Sequence, residues 1–324
     1  MKRFLAALVG CFLGFSLSAQ TPLFSTPPRD LVFEQANQPL IDLGRQLFFD
    51  PRLSGNDQLA CASCHVPELG FGDGQAKSRG VAGTLLGRHT PHLNNLEPQG
   101  LMFWDGRVKG LAEQALGPIS NPQEMGMPLD QLVPKLMKVP GYQKQFDALF
   151  GSGTTPQDIG RALAAFEATL VSRNAPLDRY LAGDPKALSP SALRGLKLFG
   201  GKAGCGRCHS GPNLTDGGFH NIGLIGDDPG RFALTSIPVN QGAFKTPGLR
   251  NVALSAPYMH DGSLGTLGQV VDYYNRGGDS SPHQSPLIEA LHLSAREQAD
   301  LVAFLEALSD PIALRRPNLP GERP

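Results

Sequence analysis

Apolar residues recur along this chain at helical rather than alternating spacing, in separated blocks. Leu43-Gly44-Arg45-Gln46-Leu47-Phe48 and Arg194-Gly195-Leu196-Lys197-Leu198-Phe199 each read as the end of an amphipathic helix, and their likeness marks an internal repeat. Between them, Ile159, Leu163, Phe166 and Leu170 keep a helical period over Gln157 to Val171, behind the start signal Thr154-Thr155-Pro156. The last strong helix opens at Ser294, which forms an S-x-x-E capping box with Glu297 and carries Leu301, Val302, Phe304, Leu305 and Leu308 on one face. No alternating run of strand length stands out, so the pattern predicts a mostly α protein. Asn174 to Pro190, with three prolines, is the most linker-like stretch and divides the chain into two domains.

The N-terminus reads differently. Lys2 and Arg3 precede an apolar run from Phe4 to Leu17, closed by Ser18, Ala19 and the polar Gln20. That is the layout of a secretory signal over residues 1–19, which predicts export to the periplasm. Leu8-Val9-Gly10-Cys11 resembles a lipidation site, but the apolar run continues past Cys11. No later segment is long and apolar enough to predict a membrane span.

Composition narrows the picture. With 29 Lys+Arg against 29 Asp+Glu, nothing marks a nucleic-acid or anionic-membrane partner. Aromatics at 7%, with 39 Gly and 28 Pro, make a lean core and many loops, as though something besides side chains fills the interior.

The four cysteines beyond the signal supply that something. They fall as Cys61-Ala62-Ser63-Cys64-His65 and Cys205-Gly206-Arg207-Cys208-His209, two copies of C-x-x-C-H. This pentapeptide is the attachment signature of c-type haem: two thiols on one turn add to the vinyl groups, and the adjacent imidazole is held against the iron. A redox dithiol does not need the histidine, and zinc ribbons space their pairs more closely. The expected cofactors are two covalently bound haem c groups, each wrapped by a cytochrome c-like domain, 20–180 and 181–324.

A di-haem exported chain with this repeat resembles the bacterial di-haem cytochrome c peroxidase and MauG family. The resemblance is carried in the first half by Leu47 to Ser54, Cys61 to His65, Phe103-Trp104-Asp105-Gly106-Arg107, and Glu113-Gln114-Ala115 through Asn121-Pro122-Gln123-Glu124-Met125. In the second half it is carried by Phe166 to Leu170, Asp178 to Leu181, Cys205 to His209, Gly230-Arg231-Phe232, Leu249 to Leu254 and Ala256 to Gly262. It implies that the first domain is peroxidatic and the second transfers electrons. It also implies that Glu124 is the acid-base residue on the open face of the His65-ligated haem, with Gln114 as a pocket neighbour. Trp104, the single tryptophan, resembles the indole that relays electrons between the haems.

Two departures bear on the subgroup. Family peroxidases carry a ligating histidine sixteen residues beyond the first proximal histidine; here the position holds Val81, which cannot bind iron. The first haem is then open to peroxide, unless His89 or His92 supplies a ligand. Family peroxidases also place an axial methionine fourteen residues after the position of His260; here it is Tyr274, as in MauG-like members. An anionic oxygen donor lowers a haem potential and favours oxidised iron. On residues alone Tyr273 and Tyr274 read as packing aromatics, and Met259 as a gap filler.

The family also implies a Ca²⁺ site between the domains, with carbonyls at the positions of Ser255 and Pro257, but its asparagine position holds His89, a poor ligand for a hard cation. The expected activity is reaction of hydrogen peroxide at the N-terminal haem, with electrons exchanged through the C-terminal haem. Its partner is a small electron-donor protein, a cytochrome c or cupredoxin, and a homodimer is a further expectation. The other reading is a MauG-like enzyme that oxidises side chains of a partner protein through a high-valent di-haem state.

Overall fold

The computed structural model describes residues 23–28 and 37–322; the expected signal segment, with Cys11, lies outside the described residues. The chain is helical. Its α-helices among the described residues are α1 (Gln38–Phe48), α2 (Cys61–Cys64), α3 (Leu111–Ser120), α4 (Leu129–Met137), α5 (Pro140–Phe150), α6 (Pro156–Glu167), α7 (Pro176–Leu181), α8 (Pro190–Gly200), α9 (Phe232–Thr235), α10 (Leu267–Asn275) and α11 (Ala295–Glu306). The strands among the described residues are two-residue pieces in two antiparallel pairs, β1 (Leu101–Met102) with β2 (Val108–Lys109) and β3 (Phe219–His220) with β4 (Phe244–Lys245).

Each half has its own core. In the first, α1 and α3 pack on α6 and bury Leu43, Leu47, Phe48, Ile119, Leu163 and Phe166. In the second, α8 packs on α11 and buries Phe199, Leu301, Phe304 and Leu308, with α10 alongside. The two crossings are built alike. A Cβ on Gly44 of α1 would stand 1.9 Å from the Ala162 carbonyl oxygen, and one on Gly195 of α8 would stand 1.9 Å from that of Asp300. Only glycine lets the backbones approach this closely.

The capping signals in the sequence act as expected. Thr155 accepts from the Asp158 backbone N–H at the start of α6, and Ser294 does the same with Glu297 at the start of α11. Helix α6 ends at Glu167, short of Val171. There the Thr169 hydroxyl donates to the Phe166 carbonyl at 2.7 Å, and three-residue backbone bonds tighten the exit while Leu170 stays buried.

In the proline-rich stretch, Pro176 and Pro190 each open a helix, the position where a missing N–H costs nothing. Leu170 belongs to the first core and Leu177 to the second. Beyond α11 the chain returns to the first half, where Leu319 is buried and Ile312 and Leu314 pack on the same core.

Polar contacts fasten the halves together. Arg88 gives two nitrogens to Asp228 at 2.6 and 2.8 Å and a third to Asp105 at 2.6 Å. Arg231 donates to the Asp105 carbonyl at 2.9 Å. Inside the second half Arg250, 1% exposed, grips Asp178 with both terminal nitrogens at 2.7 and 2.9 Å, tying α7 to its core.

Candidate active site

The two C-x-x-C-H segments adopt the same local design. Cys61 to Cys64 make one helical turn and Cys205 to Arg207 a 3-10 turn, and the following histidine N–H closes on the first cysteine carbonyl at 2.9 Å in both. The glycine-rich loops that follow, Leu69 to Gly74 and Gly211 to Gly218, then curl back. The Nδ1–H of His65 donates to the Phe71 carbonyl and that of His209 to the Leu214 carbonyl, each at 2.9 Å. Phe71 and Leu214 both hold a left-handed backbone, at φ 67° and 51°, unusual for side-chain-bearing residues. Their shared conformation aims a carbonyl at each imidazole. A carbonyl can only accept, so the proton is fixed on Nδ1 and the Nε2 lone pair is left for a metal. Burial lowers both histidine pKa values and keeps the rings neutral.

Both motifs open on one cavity of about 690 Å³, lined by Cys61, Cys64 and His65 and equally by Cys205, Cys208 and His209. No disulfide joins the four cysteines. Burial pushes the Cys64 and Cys205 thiols up to about 11, the opposite of the low-pKa thiolate that a redox dithiol uses.

Glu124 and Gln114 lie on the wall of this cavity. Glu124 sits in the turn after α3, accepts from the Asn121 side-chain amide at 2.8 Å, and has its pKa raised, chiefly by burial. Val81 packs beside it: its N–H donates to the Glu124 carbonyl at 2.8 Å. The Val81 segment is therefore docked on the Glu124 turn, with a side chain that cannot bind iron. His92 also lines the cavity, but both of its ring nitrogens are used, Nε2–H on the Gly248 carbonyl at 2.8 Å and Nδ1 by the Asn94 N–H at 3.2 Å. His89 donates from Nδ1 to the Gln75 carbonyl at 3.0 Å.

Trp104 is bonded to both halves. Its indole N–H donates to the His89 carbonyl at 2.8 Å, and its own carbonyl accepts from the Lys245 N–H at 2.7 Å. The neighbouring tyrosines of α10 part company: the Tyr273 hydroxyl donates to the Ile222 carbonyl at 3.1 Å, whereas Tyr274 lines the cavity and its hydroxyl makes no hydrogen bond among the described residues. Burial, then the nearby Cys205, pushes the Tyr274 phenol up. Met259, Ser255 and Pro257 line the cavity too. His89, at the family's asparagine position, has its Nδ1 engaged by the Gln75 carbonyl.

Two cavity groups gave no signal in the sequence. Glu167, at the end of α6, is 5% exposed and its Oε2 has no hydrogen-bond partner among the described residues; burial raises its pKa to about 8. Lys245 reaches the same cavity from β4. A lone glutamate or lysine in a loop-rich sequence reads as a solvated charge, and only the folded chain shows it buried.

A model of the family described as di-haem cytochrome c peroxidase matches residues 38–186. The methylamine utilization protein MauG of Methylorubrum extorquens is 46% identical over 86% of this chain and 81% of its own length. The chain belongs to the di-haem cytochrome c peroxidase and MauG family. Within it, cytochrome-c peroxidase IdrP1 of Pseudomonas sp. (strain SCT) is 37% identical over 94% of this chain and 90% of that protein. Among solved structures, a MauG-like protein associated with microbial copper homeostasis superposes with a TM-score of 0.80 at 34% identity, covering 90% of this chain and 95% of that one. The family's cofactor is haem, and the residues present fit it: two neutral imidazoles held through Nδ1, each beside paired thiols, on one largely apolar cavity.

Proposed function

We propose that the chain is a periplasmic di-haem c-type peroxidase, exported by residues 1–19, with haem c joined to Cys61 and Cys64 and to Cys205 and Cys208, and with His65 and His209 as proximal ligands. The observation that carries this reading is the single cavity that joins both motifs and has Glu124 and Gln114 on its wall. Bound haem would supply the iron at which the peroxide O–O bond is broken and the store from which electrons are passed.

The chain's own residues do the rest. Hydrogen peroxide takes two electrons and two protons to become two waters. Glu124 accepts the proton from one peroxide oxygen and hands it to the oxygen that leaves, and a carboxyl whose pKa is raised by burial suits both directions of transfer. The Asn121 amide holds the carboxyl in place, and Gln114 orients the peroxide. Trp104, fixed at both its indole and its carbonyl, is the electron relay between the halves. Tyr274 would offer its phenol oxygen to the iron of the second haem. The electrons come from a small cytochrome c or cupredoxin. Calcium has no essential part in this reading.

The MauG-like alternative, oxidation of side chains on a partner protein, is favoured by Tyr274 and Val81, because an oxygen-ligated second haem holds oxidising equivalents better than it stores electrons. Peroxide titration of the holoenzyme with optical and EPR detection, alongside turnover with reduced cytochrome c, separates the two. Rapid turnover supports the peroxidase; a long-lived two-electron-oxidised state without turnover supports the alternative. In either case Glu124→Gln should slow the peroxide reaction by roughly 100- to 10,000-fold with the haem spectra unchanged. Wild-type kinetics in that variant would remove Glu124 from the mechanism.

A further inference from the structure

Lys245 stands on β4, where the second half meets the first, and it is 9% exposed. Its ammonium donates to the Gln99 side-chain oxygen at 2.8 Å and to the Leu101 carbonyl at 3.0 Å, both neutral groups of the first half. No carboxylate pairs with it among the described residues, and burial alone lowers its pKa to about 8. The other deeply buried cation, Arg250, has Asp178, and the half-buried Arg88 has two aspartates. Lys245 is the exception. An ammonium has three donors, two of which are used here, and Lys245 lines the cavity.

Burying a charge without a counter-ion is costly, so a group from outside the polypeptide is called for. Haem brings two propionate carboxylates. We propose that Lys245 is the counter-ion of a propionate on the haem held by His65, so that the second domain completes the cofactor site of the first. The proposal rests on the reading that this cavity binds haem. The assignment to the first haem follows from the neighbours: the His92 ring feels the charges of both Lys245 and His65, and Gln99 and Leu101 belong to the first half. The same residue fixes the Trp104 carbonyl through its backbone N–H at 2.7 Å, so the propionate, the relay indole and the domain junction share one anchor.

The test uses holoenzyme, Lys245→Gln and Lys245→Arg, with haem content measured first. Wild-type protein without two haems would overturn the cofactor reading itself, before any variant is compared. With both haems present, K245Q should shift the propionate bending band in the resonance Raman spectrum of the haem with the open sixth position. It should also lower that haem's reduction equilibrium constant roughly tenfold, about 59 mV for one electron, because loss of a nearby cation favours ferric iron. K245R should restore the potential. An unchanged band and potential in K245Q, or changes confined to the other haem, would overturn the proposal. Should K245Q fail to accumulate, K245R decides alone: a shifted band with the potential retained supports the contact, and an unshifted band refutes it.

Discussion

Tyr273 and Tyr274 lie one residue apart on α10, a turn of about 100° around the helix, and that step separates packing from chemistry. Tyr273 is buried, with its hydroxyl satisfied by the Ile222 carbonyl, whereas Tyr274 brings to the cavity near Cys205 and Cys208 a hydroxyl with no partner among the described residues. Tyr274→Phe in the holoenzyme should change the low-spin EPR signal and the optical spectrum of the second haem. Tyr273→Phe should leave both unchanged and lower stability by about 1 kcal/mol, the net worth of one hydrogen bond, read by thermal unfolding. An unaltered low-spin signal in Y274F would show that Tyr274 is no ligand. The sequence singles out this pair only through the spacing from His260; nothing in a Tyr-Tyr dipeptide says which hydroxyl finds a carbonyl. Glu167 and Lys245 are illegible for a related reason, since the isolation of a buried charge depends on which distant segments close over it.

Helix starts were readable because they are local chemistry: Thr155 and Ser294 cap as their sequences imply. The repeat was readable too, but its physical purpose lies in the partner helices. Gly44 meets the backbone of α6 and Gly195 the backbone of α11, so one small residue at the same place in each half sets the helix spacing on which the cavity walls depend. Gly44→Ala and Gly195→Ala should each cost about 1–3 kcal/mol by overpacking. Gly226, where an added Cβ meets nothing within 4 Å, is the control, and Gly226→Ala should stay within about 0.5 kcal/mol. Thermal unfolding of the three variants checks this, and equal shifts in all three would dismiss the crossings as determinants of stability. The pairing itself, α1 with α6 and α8 with α11, was not legible, because amphipathic periodicity gives a helix a buried face without naming what covers it.

Over the whole molecule, two contiguous pentapeptides marked the proposed haem sites, because thioether attachment and ligation need neighbouring residues. The junction between the halves was silent, being made of single residues such as Arg88, Asp105 and Asp228 far apart in the chain. The C-terminal segment was equally silent, and it makes the first half depend on the far end of the sequence. Arg45 and Arg52 donate to the Arg315 and Pro320 carbonyls at 2.6 and 2.9 Å, and Leu319 is 4% exposed in the first core. Asp310, in contrast, holds the Arg173 and Asn174 N–H groups, each at 2.8 Å, and accepts no part in that core. A chain ending after Asp310 should therefore keep its inter-domain tie but lose the cover on the first core. Burying one leucine is worth about 1.5–3 kcal/mol, so the first half should unfold at lower temperature while the second is little changed. A haem bound in each half, as proposed, would report on the halves separately, and Leu319→Ala, expected to cost about 2–5 kcal/mol, repeats the effect without removing backbone. If the truncated chain and L319A both unfold like the full chain in the half that carries His65, the C-terminal segment is an ornament on the surface and not part of the first core.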